Sequence, residues 1–518
     1  MPETSDLSKT ILHMLIIHPP LTKPCEPPAA LAYLCAALAA HGHSCSVCDM
    51  NIEALEYIFA TATPAGDTWS NRAVRHLEKN LAALQQNDIY RNFDRYSRAV
   101  ADIDRVLEMA GKSFNLQLSL ANYQDNARSP LKSADLRQAA VDYRSNIFYP
   151  YFKNRLDELC GRKNCNRIGF SLSYLSQALC TFAMIGYLRA HHPEKTIILG
   201  GGLVTTWLSN PRWNNPFADL VDHCIAGQGE QPLLRLLGDS QRIAHAEPSF
   251  TALARNHYLS PGFVLPYATS AGCFWKKCNF CPETSEKNPY RPVPPETTIA
   301  DLHNLTATTS PVLIHLLDNA ISPRTLRALC DNPPAAPWYG FARIDSLLDD
   351  PGFCRRLQAA GCVMLKLGLE SGDQDVLNSM NKGIDLKQAA RVLDNLHQAG
   401  IATYVYLLFG TPSEGLEEAE RTRLFVEEHH QAISFLNLAI FNLPICSGET
   451  STLTVTDLYE GDLSIYRNFN HPTGWDRPQV RRFLAATFKR SPKIAAILRR
   501  DPPFFTSNHA PFMKMTEY

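Results

Sequence analysis

Short, wholly apolar runs alternate with longer stretches carrying an apolar face through the first 50 residues. Leu12-His-Met-Leu-Ile-Ile17 reads as a buried parallel strand stopped by His18-Pro-Pro20, Ala29–Ala40 as an Ala/Leu-rich helix ended near Gly42, and Ser44–Asp49 as a second strand. The alternation resumes at residue 167 with a strand to Ser173 and a helix over 176–191. A strand over 196–199 then runs into Gly200-Gly-Gly202, and another over 222–226 precedes Gly227-Gln-Gly-Glu230. Strands alternating with helices predict an α/β fold with a doubly wound, Rossmann-like parallel sheet. Ligands of such sheets sit beyond the carboxyl ends of the strands, where the Pro, Ser and Gly residues of this region gather; a G-x-G-x-x-G fingerprint is absent.

Between the second and third of these strands the pattern changes. Amphipathic helices are predicted over 70–86, 99–111 and 134–143, followed by the aromatic run Ile147-Phe-Tyr-Pro-Tyr-Phe152. They define a helical insertion over about 53–162, inside a first domain spanning 1–245, and read as a packed helical cap, with a substrate-gripping lid as the alternative.

After a linker over 246–266, a strand near 267–271 leads into a cysteine-bearing loop. Five more strands are predicted over 312–317, 338–343, 363–370, 401–409 and 433–441, with helices between them. Ser322-Pro323 suits a helix N-cap and first turn, while Gly361 and Gly400 sit where helix C-terminal glycines belong, each just before a strand. Six such units over 267–445 predict a partial (β/α)6 barrel, whose site should lie at the carboxyl ends of its strands. The segments there are polar: the cysteine loop, Asp318-Asn319, Arg343-Ile-Asp345, Glu370-Ser-Gly372 and Gly410-Thr-Pro-Ser-Glu414. The remaining segment, 446–518, is predicted to hold helices over 457–466 and 478–500. It closes with an aromatic tail, Pro502 to Phe512, that docks on the body of the protein and carries His509 as a packed residue.

At 518 residues the chain is long enough for two or three domains with ample core. A formal charge of -1 and a pI near 7.0 give no basic footprint for nucleic acid and no polybasic membrane patch, which leaves a small molecule or a peptide as the expected substrate. The first residues are polar and acidic and the apolar runs fall short of a membrane span, so the expectation is a cytoplasmic protein without a signal peptide or membrane contact. Fifteen cysteines scattered through apolar segments fit reduced thiols, and Cys45-x2-Cys48, on a strand, reads as structural.

Three cysteines differ from the rest. In Thr269-Ser-Ala-Gly-Cys-Phe-Trp-Lys-Lys-Cys-Asn-Phe-Cys-Pro282, Cys273, Cys278 and Cys281 crowd one loop, and thiolates this close call for a soft metal, zinc or an iron–sulfur cluster. A structural zinc site would be closed by a fourth ligand at short spacing, and the next candidate is His303, inside a predicted helix. Three cysteines on a four-iron cluster would instead leave one iron open.

That loop resembles the radical S-adenosylmethionine (SAM) superfamily, whose cysteine triad holds a [4Fe–4S] cluster that binds the amino and carboxylate groups of SAM. The family's usual spacing is Cys-x3-Cys-x2-Cys; here the first gap is four residues, as in some corrinoid-type members with a similar Gly-Cys-aromatic-Trp opening. Phe341-Ala-Arg-Ile-Asp345, Gly368-Leu-Glu-Ser-Gly372, Asn381-Lys-Gly383 and Phe409-Gly-Thr-Pro-Ser-Glu414 also resemble the corresponding family segments. The resemblance implies that Phe280 lies beside adenine and Asp318 and Asn319 near the methionine amino group. It further implies Glu370 and Ser371 at the ribose and sulfonium end, Arg343 at the SAM carboxylate and Gly410 behind adenine. For Asp345 and Lys382 a solvated rim charge is the expectation.

Upstream, His18-Pro-Pro, Pro27-Pro-Ala-Ala-Leu-Ala-Tyr-Leu, Gly169-Phe-Ser-Leu-Ser173, Leu199-Gly-Gly-Gly and Gly227-Gln-Gly-Glu resemble the cobalamin (B12)-binding domain of one large radical SAM class. By that resemblance Ser171, Ser173, Gly200, Gly201, Gly202, Gly227 and Glu230 would line a corrinoid site, without the Asp-x-His-x-x-Gly signature that supplies an axial histidine elsewhere. The implied cofactors are a [4Fe–4S] cluster, SAM and cobalamin, with a reductant such as flavodoxin or ferredoxin as partner. The implied reaction is C-methylation at an unactivated carbon. A rearrangement or cyclisation with cobalamin in another role or absent, and a non-catalytic corrinoid or metal-binding module, are the alternatives. No individual residue is assigned as the catalytic acid or base.

Overall fold

The structure, a computed structural model, describes residues 13–64, 66–162, 165–241, 245–254, 257–503 and 509–515. Leu12, the expected start of the first strand, the polar start of the chain, and residues 504–508 of the aromatic tail lie outside the described residues.

Strands β1 (His13–His18) and β2 (Ser44–Asp49) are followed, inside the insertion, by an antiparallel hairpin of β3 (Leu116–Ser119) and β4 (Asn122–Asp125). Then come β5 (Cys165–Ser171), β6 (Thr196–Gly200) and β7 (His223–Cys224), which complete a parallel sheet of order β2-β1-β5-β6-β7. Strand β1 is apolar from Met14 to Ile17 because both its faces are covered. Leu15 and Ile17 pack into a core shared with the insertion, whereas Met14 and Ile16 join a second core that continues into the barrel. At no more than 2% exposure, each of these four side chains contributes about 1.5–3 kcal/mol.

The insertion's helices Thr68–Leu84 and Phe93–Lys112 start at side-chain caps: Asp67 accepts from the Ser70 N–H and Asn92 from the Arg95 N–H. Their apolar faces pack on the sheet, which makes the insertion part of the body of the first unit. The helix Met50–Ala60 and the β3–β4 hairpin add elements that the sequence pattern did not predict; the hairpin strands are only four residues each.

The second unit is a six-stranded parallel sheet: β8 (Val264–Tyr267), then, after β9 (Ser270–Ala271) and β10 (Arg291–Pro292), β11 (Leu313–Leu316), β12 (Trp338–Ala342), β13 (Cys362–Glu370), β14 (Ala402–Phe409) and β15 (Phe435–Ile440). Its order, β15-β14-β13-β12-β11-β8, is that of a partial (β/α)6 barrel. The first strand starts earlier than the sequence pattern predicted and ends at Tyr267. There the buried Asp318 carboxylate takes the Thr269 N–H (3.0 Å) and the hydroxyls of Thr269 (2.7 Å) and Ser270 (2.6 Å), turning the chain out of the barrel into the β9–β10 ribbon. Ser322 caps the helix Pro323–Asp331, and Gly361 and Gly400 adopt the left-handed φ values of +89° and +74° that follow helix ends.

The C-terminal segment corrects the prediction of a purely helical region. Residues 457–466 are not a helix: β16 (Leu443–Pro444), β17 (Val455–Asp457) and β18 (Tyr466–Phe469) form a small antiparallel sheet. The stretch between β17 and β18 is bonded instead to the insertion, with Leu463 N–H on Leu131 O (2.9 Å) and Ser133 N–H on the Asp462 carboxylate (2.8 Å). The helix expected over 478–500 is two, Arg477–Ala486 and Pro492–Leu498, because Pro492 has no N–H and disfavours helix at the preceding Ser491. At the end of the tail, Phe512 packs on Tyr90 and Tyr96 of the insertion. No helix among the described residues is long and apolar enough to cross a membrane.

Candidate active site

The β9–β10 ribbon is the stem of the cysteine loop. Gly272, at φ +73°, lets the chain pass the backbone of Pro289, where a β-carbon would come within 2.6 Å of the carbonyl oxygen. The loop then rests on the segment 379–383: Asn279 donates from its backbone to Met380 O (3.2 Å) and from its side chain to Ser379 O (2.9 Å), and the Trp275 indole donates to Asn381 O (3.3 Å). Arg343, just past β12, braces the same contact. Its guanidinium lies 3.7 Å from the centre of the Trp275 ring and donates to the carbonyls of Lys382 and Gly383.

Burial holds two of the three thiols above their ordinary value, against nearby groups that favour the thiolate. Burial pushes Cys278 up, while Lys382 and Arg343 beside it pull it down. Burial likewise raises Cys281 to about 11, opposed by the N–H groups of Glu283 and Thr284 at the start of the helical turn that follows it. Among the described residues no group of three His, Cys, Asp or Glu side chains is gathered tightly enough for a single metal ion.

Around this loop the predicted rim residues fall in order, because β8, β11, β12, β13 and β14 are neighbours and all parallel. Glu370 ends β13 at a β-bulge, in a left-handed conformation (φ +71°) that costs a non-glycine residue about 1–2 kcal/mol. The Lys382 ammonium holds it at 2.7 Å, with only 11% and 13% of the two side chains exposed, and the same ammonium lies 5.6 Å from the centre of the Phe280 ring. Lys382 is therefore a buried partner of Glu370, which corrects the expectation of a solvated rim charge. Asp345 bonds the Leu347 N–H (2.9 Å) and shapes its own turn. Asp318 is occupied by the stem, and Asn319 beside it is exposed. Ser371 is fully buried against Thr422 (3.2 Å) and takes the Asp373 N–H. Gly410, at φ +77°, faces Val480 of the helix Arg477–Ala486, and its N–H bonds the buried Glu414. Burial raises that carboxyl to about 7, against the opposing bonds from Gly410 and the Trp475 indole.

In the first unit, Ser171 and Gly200 are paired at the ends of β5 and β6. Ser173 takes its place through its N–H on Gln177, whose amide reaches back to Pro19 O. Gly201 is required by the chain itself: at φ +110° a β-carbon would lie 2.4 Å from Leu172 O. Gly200 and Gly202 are different, since a β-carbon there would make only ordinary contacts at 3.7 and 3.6 Å; Gly227 is left-handed, at φ +71°, but a β-carbon on it would meet nothing within 4 Å. These three glycines leave an open cradle beyond the strand ends. Burial raises Glu230, at the start of the next helix, against the pull of Arg291.

The two sets of residues face each other. Thr206, on the helix that follows Gly202, bonds Glu286 (2.7 Å), and Arg291 of the ribbon bonds Gln228 (3.2 Å), so the glycine loops lie against the return arm of the cysteine loop. The sequence reading missed several residues here. Trp275 carried a signal, as a Trp between two cysteines of the trio, but its partner Gly383 is 108 positions away in sequence and could be found only by folding.

A Rossmann-like sheet placed against a partial barrel with a cysteine loop after its first strand defines the architecture. Residues 267–426 match the family model described as the Radical SAM superfamily, and the chain carries a radical SAM domain. It is 31% identical over 85 residues to bacteriochlorophyllide d C-12(1)-methyltransferase of Chlorobaculum tepidum, a match covering 16% of this chain and 19% of that protein. It superposes with a TM-score of 0.50 on the cobalamin-dependent S-adenosylmethionine radical enzyme OxsB, solved with aqua-cobalamin and S-adenosylmethionine, at 14% identity over 83% of this chain and 53% of that one. The radical S-adenosylmethionine methyltransferase TsrM from Kitasatospora setae, solved with tryptophan substrate and a SAM analogue, gives 0.50 at 14% identity over 83% and 73%. At these identities the structural likeness is one of fold. The chain spans about a fifth of the curated relative and about half of OxsB.

Proposed function

We propose that this chain is a cobalamin-class radical SAM enzyme that methylates an unactivated carbon of a small molecule or peptide. The observation that supports this reading is the placement of the open glycine cradle against the arm of the cysteine loop, through Thr206–Glu286 and Gln228–Arg291. Cys273, Cys278 and Cys281 would hold a [4Fe–4S] cluster, and Ser171, Ser173, Gly200, Gly202, Gly227 and Glu230 a corrinoid. When bound, the cluster supplies the electron that splits SAM to methionine and a 5′-deoxyadenosyl radical, and the corrinoid supplies a transferable methyl group.

The protein's own contribution is to fix these groups and keep them dry. Arg343 and Trp275 clamp the cysteine loop to the 379–383 segment. Lys382 holds one oxygen of Glu370, which leaves the other to accept the ribose hydroxyls of SAM. Phe280 offers a ring face to adenine, and Gly410, braced by Glu414, admits the flat base. A small reductant protein such as flavodoxin or ferredoxin delivers the electron, and the protein works in the cytoplasm.

Anaerobic reconstitution followed by iron, sulfide and corrinoid analysis tests the reading, together with assays for 5′-deoxyadenosine and S-adenosylhomocysteine. The expected result is about four irons and one corrinoid per chain, with both nucleosides formed and both lost in Cys273→Ala, Cys278→Ala and Cys281→Ala. Zinc without labile sulfide would overturn it. 5′-Deoxyadenosine formed by protein that never retains corrinoid would leave a radical SAM enzyme without cobalamin-dependent methylation.

A further inference from the structure

Below the cysteine loop, the inside of the barrel is not purely apolar. Along β13, Leu365, Leu367 and Leu369 are fully buried against the outer helices, so Met364, Lys366, Gly368 and Glu370 point inward by the two-residue period of a strand. The amino end of the lumen is closed by Leu313, Tyr339, Met364, Tyr404 and Phe435, with Ala510 from the tail. His509 packs there between Tyr404 (4.3 Å) and Phe435 (4.6 Å), as a plug at the floor and away from the open rim. Lys366 lies one layer above this floor and, at about 3.3 Å per residue, some ~13 Å below Glu370.

A lysine in this position is expensive unless it has a purpose, because methionine would fill the space without desolvating a charge. Its partners form a chain across the two units: Lys366 Nζ donates to His315 Nε2 (3.0 Å), and His315 Nδ1 donates to both oxygens of Glu26 (2.9 and 3.0 Å), on the loop that follows β1. Lysine can only donate, which fixes His315 as neutral with its proton on Nδ1. Burial lowers Lys366 to about 8, partly offset by Glu26. For Glu26 the upward push of burial is outweighed by His315, Lys366 and Lys23. The groups that face Lys366 are thus Glu26, Lys23, Cys25 and His315, with the Asp501–His509 pair beneath and Glu370 above. Only one of the three ammonium hydrogens has an acceptor among the described residues. The other two meet the ring faces of Tyr339 and Phe341, each centred 5.0 Å away, and Tyr406 stands against Phe341 at 5.0 Å. Phe341 and Tyr406 are half-buried, so the aromatic wall opens upward toward the rim.

We propose that Lys366 is the substrate-anchoring residue of this chain, and that the substrate carries a carboxylate on a flat, apolar body that the aromatic wall accepts. The inference rests on the enzymatic reading above for the word substrate; the binding site itself does not. Glu26 and His315 are positioning residues, which aim the ammonium and keep it charged.

The test measures binding by calorimetry to full-length, iron-loaded protein, using a panel of aromatic carboxylates of increasing ring number, each paired with its neutral primary amide. Losing a hydrogen bond from a charged group weakens binding about ten- to a hundredfold, so that is the expected preference for acid over amide in the unmodified protein. Lys366→Met should abolish the preference and Lys366→Arg should keep most of it, with iron and sulfide content as the control for folding. Glu26→Gln keeps an acceptor for His315 but removes the negative charge that helps keep Lys366 protonated, so it should lower the preference, most of all above pH 8. Equal binding of every acid and its amide, a preference that survives Lys366→Met, or one that rises in Glu26→Gln would overturn the proposal and leave the chain as a structural strut. Absence of SAM cleavage would instead remove the enzymatic reading while leaving the acid-to-amide ratio standing.

Discussion

The indole of Trp275 rests on Gly383 so closely that a β-carbon on the glycine would lie 2.4 Å from Cζ2. Gly383 is also left-handed, at φ +63°, and Arg343 covers the other side of the contact. Gly383→Ala should therefore lift Trp275 and loosen the cysteine loop, at a backbone cost of about 1–2 kcal/mol. The expected result is a folded protein that retains several-fold less iron after desalting, as read by iron analysis. Iron retention equal to the parent would mean that the loop is held by the cysteines alone.

Glu370 and Lys382 are paired and nearly buried, so removing either partner outright strands a charge. Glu370→Gln avoids this by keeping an acceptor for Lys382. It should weaken SAM binding about tenfold, through the loss of a charged acceptor worth roughly 1.5 kcal/mol, while the cluster absorbance is unchanged. Equilibrium dialysis with labelled SAM checks it, and unaltered affinity would assign the pair to the architecture of the strand end.

The glycines beyond β6 should separate into two kinds. Gly201→Ala drives a β-carbon into Leu172 and should lower the melting temperature whatever the ligand, whereas Gly200→Ala meets only an ordinary contact with Ile225 at 3.7 Å. Corrinoid retention through gel filtration should fall sharply in Gly200→Ala while its apoprotein melts like the parent. Full retention would place the corrinoid away from this glycine.

Glu414 gives a pH dependence of known sign. Its folded value is raised by burial from 4.5 to about 7, so the stability it contributes is present below 4.5 and is lost as pH rises through 7. The shift corresponds to a loss on the order of 3 kcal/mol, and Glu414→Gln, which keeps an acceptor for Gly410 and Trp475, should not show it. Melting temperatures at pH 5 and pH 8 should reveal a gap between variant and parent that widens by a few degrees at the higher pH. Burial likewise raises Asp49 to about 7, against the bonds it accepts, but that contribution is common to both proteins and cancels. A gap independent of pH would show that Glu414 stays charged.

Much of the architecture was legible in the chain. Continuous apolar runs, helix caps and the glycines before strands marked most of the parallel strands, because strands covered on both faces must be apolar throughout. The cysteine trio announced itself by local spacing, since residues on one loop need no folding to be seen together. What the chain alone could not show is how distant polar groups are spent. Asp318 and Ser371 are bonded within the scaffold, Lys382 belongs to Glu370, and the segment 457–466 gave up a helix for bonds to the insertion. Lys366 lay in plain view as a lysine in an apolar strand, yet its meaning depends on His315, 51 residues upstream, and on Glu26, 289 residues before that histidine. Hydrogen bonds and ion pairs act over about 3 Å, and only the tertiary structure decides which groups come that close.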